Sequence, residues 1–449
     1  MEEVFSMKNI IIIGGGAAGM SAASRIRKLL PDSSIKVFEE SSYVSYAPCG
    51  VPYYVEDTVK DINQLVTYTP EFFTRERNID VHIRTRVTSV DAGASEVSFV
   101  SEAGEGSAKY DYLVLSTGAV PFVPVKKWLD SDNVYTVRHL EDGNRIKANL
   151  SRASRVAVVG GGYIGVEMAE ALSRQGKLVT VLEMKRIMPN LDQEISSTIS
   201  SYMKAKGITV KEGFEVKSVE NLPNAVMISD GRTTERFDAV VLALGVRPNI
   251  ELARQMGLRI GETGAVWVDE HLMTSNKEAF AAGDSVEVKD VVLGKKRYVP
   301  LAPEANKEGY VAGSNLSGMS MVFPGSAGAA ITKFYDMEIG SVGINEEEAK
   351  ANGIDYYAVK IKHNARASYF PPSESIEMKV IFDKKRKVPL GAQLVGSEIF
   401  GRLSTLSLAV SYGIDAEKLF FSGIPYAPPF APVWDSVIVA SRIFNEHVL

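Results

Sequence analysis

A single cysteine, Cys49, and two glycine-rich runs carry most of the chemistry that residue type and spacing suggest in this 449-residue chain. One thiol leaves no internal disulfide framework, no thiolate cage for zinc and no cysteine pair to relay electrons, so thiol chemistry runs through Cys49 and no resident metal is expected. On type alone a lone cysteine is a small buried hydrophobe. Position argues the other way. In Tyr43-Val-Ser-Tyr-Ala-Pro-Cys-Gly-Val-Pro-Tyr53, Cys49 precedes Gly50 and Pro52, a pairing suited to a loop entering a helix with proline in its first turn. The free N–H groups there favour the thiolate, the nucleophilic form.

The glycine runs echo one another: Ile10-Ile-Ile-Ile-Gly-Gly-Gly-Ala-Ala-Gly19 recurs as Val156-Ala-Val-Val-Gly-Gly-Gly-Tyr-Ile-Gly165. Glycines at a strand-to-helix turn can serve packing alone. In the first run, however, Gly14 permits the turn, Gly16 lets backbone approach a pyrophosphate, Gly19 allows close helix packing, and Glu39 ends the following strand where a ribose carboxylate belongs. Gly160, Gly162, Gly165 and Glu183 repeat the pattern. Lys185 and Arg186 follow Glu183, either as surface charges or as cations that let a 2′-phosphate be tolerated.

These residues need elements to position them. At about 150 residues per domain the length allows roughly three domains, and 45% hydrophobic with 23% charged residues is ordinary globular composition. A net charge of -5 without a basic block sets nucleic acid aside. No apolar run approaches the ~20 residues of a membrane span, and the isoleucine run stops at glycines behind an acidic leader, so a cytoplasmic protein is expected. Either Met1 or Met7 can be the start. The apolar strand and closure Tyr110 to Pro121 has a parallel in Phe237 to Asn249, which brackets the second unit as an insertion between about 121 and 247. From about 326 no glycine fingerprint recurs, and strands with a helical stretch near 400 to 413 suggest a separate α+β domain. Prolines keep Pro425 to Trp434 out of helix.

With both fingerprints, the Thr117-Gly118-Ala119 closure and Thr274-Ser-Asn-Lys-Glu-Ala-Phe-Ala-Ala-Gly-Asp284 placed, the chain resembles the pyridine nucleotide-disulfide reductase superfamily over essentially its whole length. The resemblance implies an α/β chain with two Rossmann-like domains: an FAD-binding domain of 1–120 and 248–325, interrupted by an NAD(P)H-binding domain of 121–247. A C-terminal α+β dimerisation domain of 326–449 follows. It implies that Asp284 binds the flavin's ribityl chain, with a helix N-cap as the bland alternative. Tyr163 would cover the flavin until nicotinamide displaces it, and Glu167 would meet the carboxamide. Ala17, Thr117, Gly118, Leu301 and Ala302 join the FAD set, and Ile164 and Gly245 the nicotinamide set.

Within that superfamily the cysteine segment looks like the single-cysteine branch of coenzyme A disulfide reductases, NADH oxidases and NADH peroxidases. Two-cysteine relatives also need a C-terminal His-Pro segment, and the five histidines here, His82, His139, His271, His363 and His447, supply none. Ala17 stands where the peroxidases place a histidine, so the coenzyme A branch matches best. By that match Arg25 and Lys28 bind CoA phosphates and Ser45 contacts substrate, though cations on a helix and serines in loops are common; Pro48 replaces the family's frequent asparagine. Tyr369 and Tyr426 would reach the thiol from the other subunit, implying an obligate homodimer with shared active sites, with further pairing of dimers left open.

The reaction so implied is reduction of CoA disulfide, or of polysulfide or sulfur, through a Cys49–CoA mixed disulfide. Two alternatives stand beside it. One is an NADH oxidase cycling Cys49 through sulfenic acid with oxygen; the other is a redox-sensing or electron-carrier flavoprotein.

Overall fold

The computed structural model describes residues 7–372 and 374–448. The question of a start at Met1 or Met7 turns on Met1 to Ser6, which lie outside the described residues. The chain forms two compact units, the first from residues up to 122, 138–144 and 246–326, the second from 123–137, 145–245 and 327 onward.

The first unit is built on a parallel sheet in the order Ala279–Ala281, Tyr112–Leu115, Asn9–Ile13, Ser34–Phe38, Asp80–His82. Ile10 to Ile13 are all buried, as the central strand of a sheet covered on both faces requires. The helix Ala17–Leu29 follows that strand and buries Ala18, Met20, Ala22, Ala23 and Ile26. Antiparallel pairing of Ala119–Pro121 with Val246–Pro248 joins the chain where it leaves this unit to where it returns. The excursion is not clean, because residues 138–144 come back to the first unit.

The second unit holds a parallel sheet in the order Thr209–Glu212, Leu178–Glu183, Arg155–Val159, Ala239–Leu242, Val134–Thr136. It also holds an antiparallel sheet in the order Ala330–Phe334, Met337–Gly343, Pro389–Gly396, Ser375–Asp383, Tyr356–Asn364. The buried Lys379 joins the two: its ammonium lies 2.9 Å from Asp192 and 2.5 Å from Glu194, and also bonds Glu346. Cations this deep persist only when paired. The helix Phe400–Tyr412 falls where helical spacing placed it, and Pro425 to Trp434 is non-helical. Among the described residues no helix is long and apolar enough to cross a membrane.

Candidate functional site

The first glycine loop runs from the strand Asn9–Ile13 into the helix Ala17–Leu29. Gly14 adopts φ +103°, and a Cβ there would stand 2.1 Å from the Ser116 carbonyl oxygen, so only glycine fits. A Cβ on Gly19 would meet the Gly14 carbonyl oxygen at 1.9 Å, which is the close helix packing expected of it. Gly16 is the helix N-cap; among the described residues it has no side-chain cap, no acid in the first turn and no heavy atom within 4 Å of where a Cβ would stand. Uncapped N–H groups facing open space at a helix start fit a pyrophosphate.

Glu39 is buried and bonded to this loop: Gly15 N–H donates to Oε2 at 2.6 Å and Ser41 N–H to Oε1 at 2.8 Å. Each oxygen keeps a second lone pair for a ribose hydroxyl. The second loop repeats the arrangement within its own unit. Gly160 has φ +107°, Gly162 is an uncapped N-cap with open space above it, and Glu183 accepts from Gly161 N–H and Lys185 N–H, both at 2.7 Å. Gly165 packs against the Gly160 carbonyl, Ile164 lies in the first turn, and Gly245 sits at φ +92° on the closure strand's end. Of the two cations beyond Glu183, Arg186 is held by Glu347 at 2.8 Å and by two carbonyls, while Lys185 is exposed.

Cys49 is exposed, not buried in aliphatic packing. It lies inside a short turn, Pro48–Gly50, that runs into the five-residue helix Val51–Val55 with Pro52 in its first turn. The loop does enter a helix with proline in its first turn, but five residues accumulate little dipole to favour the thiolate. The segment before it is tied to the first glycine loop and to a neighbouring turn. Ser45 N–H donates to the Gly15 carbonyl at 2.9 Å, with Ser45 in the left-handed region at φ +49°. Thr67 N–H donates to Ser45 O and Ala47 N–H to Leu65 O, both at 2.8 Å, clamping the cysteine loop against the turn Ile62–Leu65.

The rest of the first-unit set gathers around the Ala-Gly-Asp segment. Asp284 Oδ2 accepts from Arg138 Nη2 at 2.9 Å, and the Tyr298 hydroxyl donates to the Asp284 carbonyl at 3.0 Å. The strand Val286–Lys289 follows, so the alternative that Asp284 caps a helix is overturned. Thr117 Oγ1 donates to Asn249 O at 2.7 Å, Gly118 has φ +67°, and Leu301 is the N-cap of the helix Ala302–Leu316. Glu308, on that helix, accepts from Gly283 N–H at 2.6 Å, and burial pushes its carboxyl up to about 8.

Sequence reasoning missed the return of residues 138–144. Arg138 meets Asp284, and His139 Nδ1 lies 2.8 Å from the hydroxyl of Tyr46, three residues before Cys49. Burial, then the neighbouring Glu39, raises that phenol's pKa. A local signal existed, since Asp142 caps both Arg138 N–H and His139 N–H, but nothing local says where the segment docks.

The head groups of Arg25 and Lys28 meet different neighbours. Arg25 donates to Ser314 Oγ at 2.8 Å and lies 4.3 Å over the Tyr310 ring. Lys28 instead lines an open cavity of about 480 Å³ with Arg27, Arg75 and Arg77, cations that sequence reading had not singled out.

In the second unit the hydroxyls of Tyr369 and Tyr426 are 3.2 Å apart, and that bond raises the Tyr426 pKa. Tyr369 is 71% exposed, and the helix Phe400–Tyr412 leaves Phe400, Leu408 and Tyr412 exposed at helical spacing, with Phe421 and Phe430 nearby in sequence. Such a set of exposed large apolar side chains marks an interaction surface. Tyr163 and Glu167 stand on the helix Tyr163–Arg174, Glu167 accepting from Thr332 Oγ1 at 2.6 Å. Burial pushes both their pKa values up. Among the described residues no group of three or more His, Cys, Asp or Glu could hold a metal ion.

Residues 8–309 match the model of the pyridine nucleotide-disulphide oxidoreductases, and residues 329–437 match their dimerisation domain. An NAD(P)H sulfur oxidoreductase (CoA-dependent) of Pyrococcus abyssi is 42% identical over 99% of this chain and 100% of its own. An NADH oxidase of Methanocaldococcus jannaschii is 37% identical over 96% of this chain and 97% of its own. The solved NAD-dependent persulfide reductase of A. fulgidus superposes with a TM-score of 0.93 at 38% identity, covering 98% of this chain and 83% of that one.

Proposed function

We propose, for a chain that belongs to the pyridine nucleotide-disulphide oxidoreductase family, that it is an NAD(P)H-dependent reductase of coenzyme A-linked sulfur–sulfur bonds working through Cys49. The family is FAD- and NAD(P)H-dependent. In this reading residues 1–120 and 248–325 hold FAD, 121–247 hold NAD(P)H, and 326–449 form the dimer contact. Gly14, Gly16, Ala17, Gly19, Glu39, Thr117, Gly118, Asp284, Leu301 and Ala302 contact FAD. Gly160, Gly162, Tyr163, Ile164, Gly165, Glu167, Glu183 and Gly245 contact the nicotinamide coenzyme. The chemistry that FAD supplies when bound is the two-electron link between NAD(P)H and sulfur.

One observation carries the reading: the only cysteine is exposed on a loop bonded directly to the first glycine loop through Ser45 N–H and Gly15 O. The Cys49 thiolate attacks one sulfur of CoA disulfide, forming a Cys49–S–S–CoA bond and releasing one CoA thiolate. Two electrons and one proton from NAD(P)H then regenerate the Cys49 thiolate and release the second CoA as thiol. Tyr369 and Tyr426, paired and exposed, suit proton donation to the leaving thiolate from a partner subunit. The exposed apolar stripe of the helix Phe400–Tyr412 supports a homodimer with shared sites. Lys28 with the cations of its cavity suits CoA phosphates, and Arg25 and Ser45 complete the substrate set. The CoA-dependent sulfur oxidoreductase and the persulfide reductase among the relatives make a persulfide or polysulfide an equal acceptor by the same attack.

The relative named NADH oxidase supports a second reading, in which oxygen is the acceptor. Anaerobic NADH oxidation with CoA disulfide as sole acceptor separates the two. The proposal expects turnover that falls by about 10³-fold in Cys49→Ser; turnover only with oxygen contradicts it.

A further inference from the structure

Tyr163 and Glu167 stand at i and i+4 on the helix Tyr163–Arg174, a spacing that puts both on one face. Facing them in the same unit are the paired strands Ala330–Phe334 and Met337–Gly343, with Thr332 opposite Ile339 and Ser341 opposite Ala330. The two-residue period of a strand therefore sets Thr332 and Ser341 on one face of the sheet. Ser341 Oγ lies 3.2 Å from the Tyr163 hydroxyl, and Thr332 Oγ1 donates to Glu167 Oε1 at 2.6 Å. The contact continues along the helix: Lys333 donates to Glu170 at 2.9 Å, and Tyr335 meets Ser173 at 3.1 Å. A sheet assigned only to dimerisation thus grips the two side chains proposed to greet nicotinamide.

We propose that Ser341 and Thr332 are positioning residues of the nicotinamide site: Ser341 tethers the Tyr163 ring that coenzyme must displace, and Thr332 aims the Glu167 carboxylate at the carboxamide. The inference rests on the reading of 121–247 as the NAD(P)H module. The two hydroxyls act in opposite directions. A tether that must be broken on entry weakens coenzyme binding, so its removal tightens it. An aimed acceptor strengthens binding, so its loss weakens it. Thr332 also opposes the effect of burial on Glu167, which raises the carboxyl's pKa, so without that hydroxyl the protonated form, a weaker acceptor, persists to higher pH.

Anaerobic rapid mixing of the FAD-loaded enzyme with NADH, followed by flavin absorbance, gives a dissociation constant and a limiting rate without any disulfide. Ser341→Ala is expected to lower that constant about threefold to tenfold, the range set by one hydrogen bond, with Ser341→Thr restoring it. Thr332→Val is expected to raise it by a similar factor, more so at lower pH, with Thr332→Ser restoring it. Ser341→Ala adds nothing once Tyr163→Phe is present. A constant that is unmoved, that rises in both Ser341→Ala and Thr332→Val, or that changes additively in the double variant overturns the positioning role. A wild-type flavin that NADH does not reduce overturns the NAD(P)H reading and this inference together.

Discussion

The two glycine loops are near copies in backbone and unlike in what docks beside them. Gly14 and Gly160 share φ values of +103° and +107°, and both helices start at uncapped glycines. Glu39 and Glu183 each accept two backbone N–H groups from equivalent places. Beyond the carboxylates the resemblance stops. The first loop is bonded through Gly15 O to the segment that carries Cys49; at the second, Tyr163 and Glu167 are bonded to Ser341 and Thr332 of the antiparallel sheet. In the proposed reading one duplicated module gains two tasks from distant segments, sulfur chemistry at one copy and control of coenzyme entry at the other.

That comparison breaks most readily at the turn glycines. Gly14→Ala drives a Cβ to 2.1 Å from Ser116 O and Gly160→Ala to 2.3 Å from Ala243 O, each at positive φ. Strain of about 1–3 kcal/mol or more is expected at either position. The purified Gly14→Ala protein should lose its flavin, seen as lost visible absorbance. Gly160→Ala should keep the flavin and lose most NADH-driven reduction; equal loss of flavin in both would erase the distinction.

A smaller effect is expected at the carboxylates. Glu183→Gln removes the charge-assisted bonds to two N–H groups and a ribose acceptor, so the KM for NADH should rise about tenfold, with flavin content kept. Glu39→Gln should show the reverse pattern, flavin loss without a specific NADH defect. Smaller still is a pH effect that belongs to the first unit only. Glu308 is raised to about 8 by burial, so its protonated form stabilises the fold most below the ordinary carboxyl range, and that contribution is lost as pH rises through about 8. Thermal unfolding of Glu308→Gln should therefore lack that fall, gaining about 3 °C on the wild type between pH 5.5 and pH 8.5.

Both loops were legible in the sequence because strand, turn, helix and carboxylate lie within about 30 residues and each follows from local geometry. Cys49 was singled out by its position ahead of Gly50 and Pro52, and the structure leaves it exposed. The Arg138–Asp284 and Tyr46–His139 contacts were not, because they join segments 146 and 93 positions apart with no periodic pattern to announce them. Thr332 and Ser341 were hidden for the same reason. The stripe Phe400, Leu408, Tyr412 could have been read, since a helix with a second apolar face is asking for a partner. Where the heads of Arg25 and Lys28 go was not legible either: three residues apart on a helix implies neighbouring stems, yet the heads part to Ser314 and to the Arg75–Arg77 cavity.

The proposed reaction turns on a sulfur–sulfur bond shared between protein and substrate. Intact-mass measurement of the chain after incubation with CoA disulfide, before and after NADH, reads that bond directly. The prediction is one CoA-sized adduct per chain that NADH removes and that Cys49→Ser never forms. A wild-type chain whose mass does not change with CoA disulfide, while turnover proceeds, would contradict it.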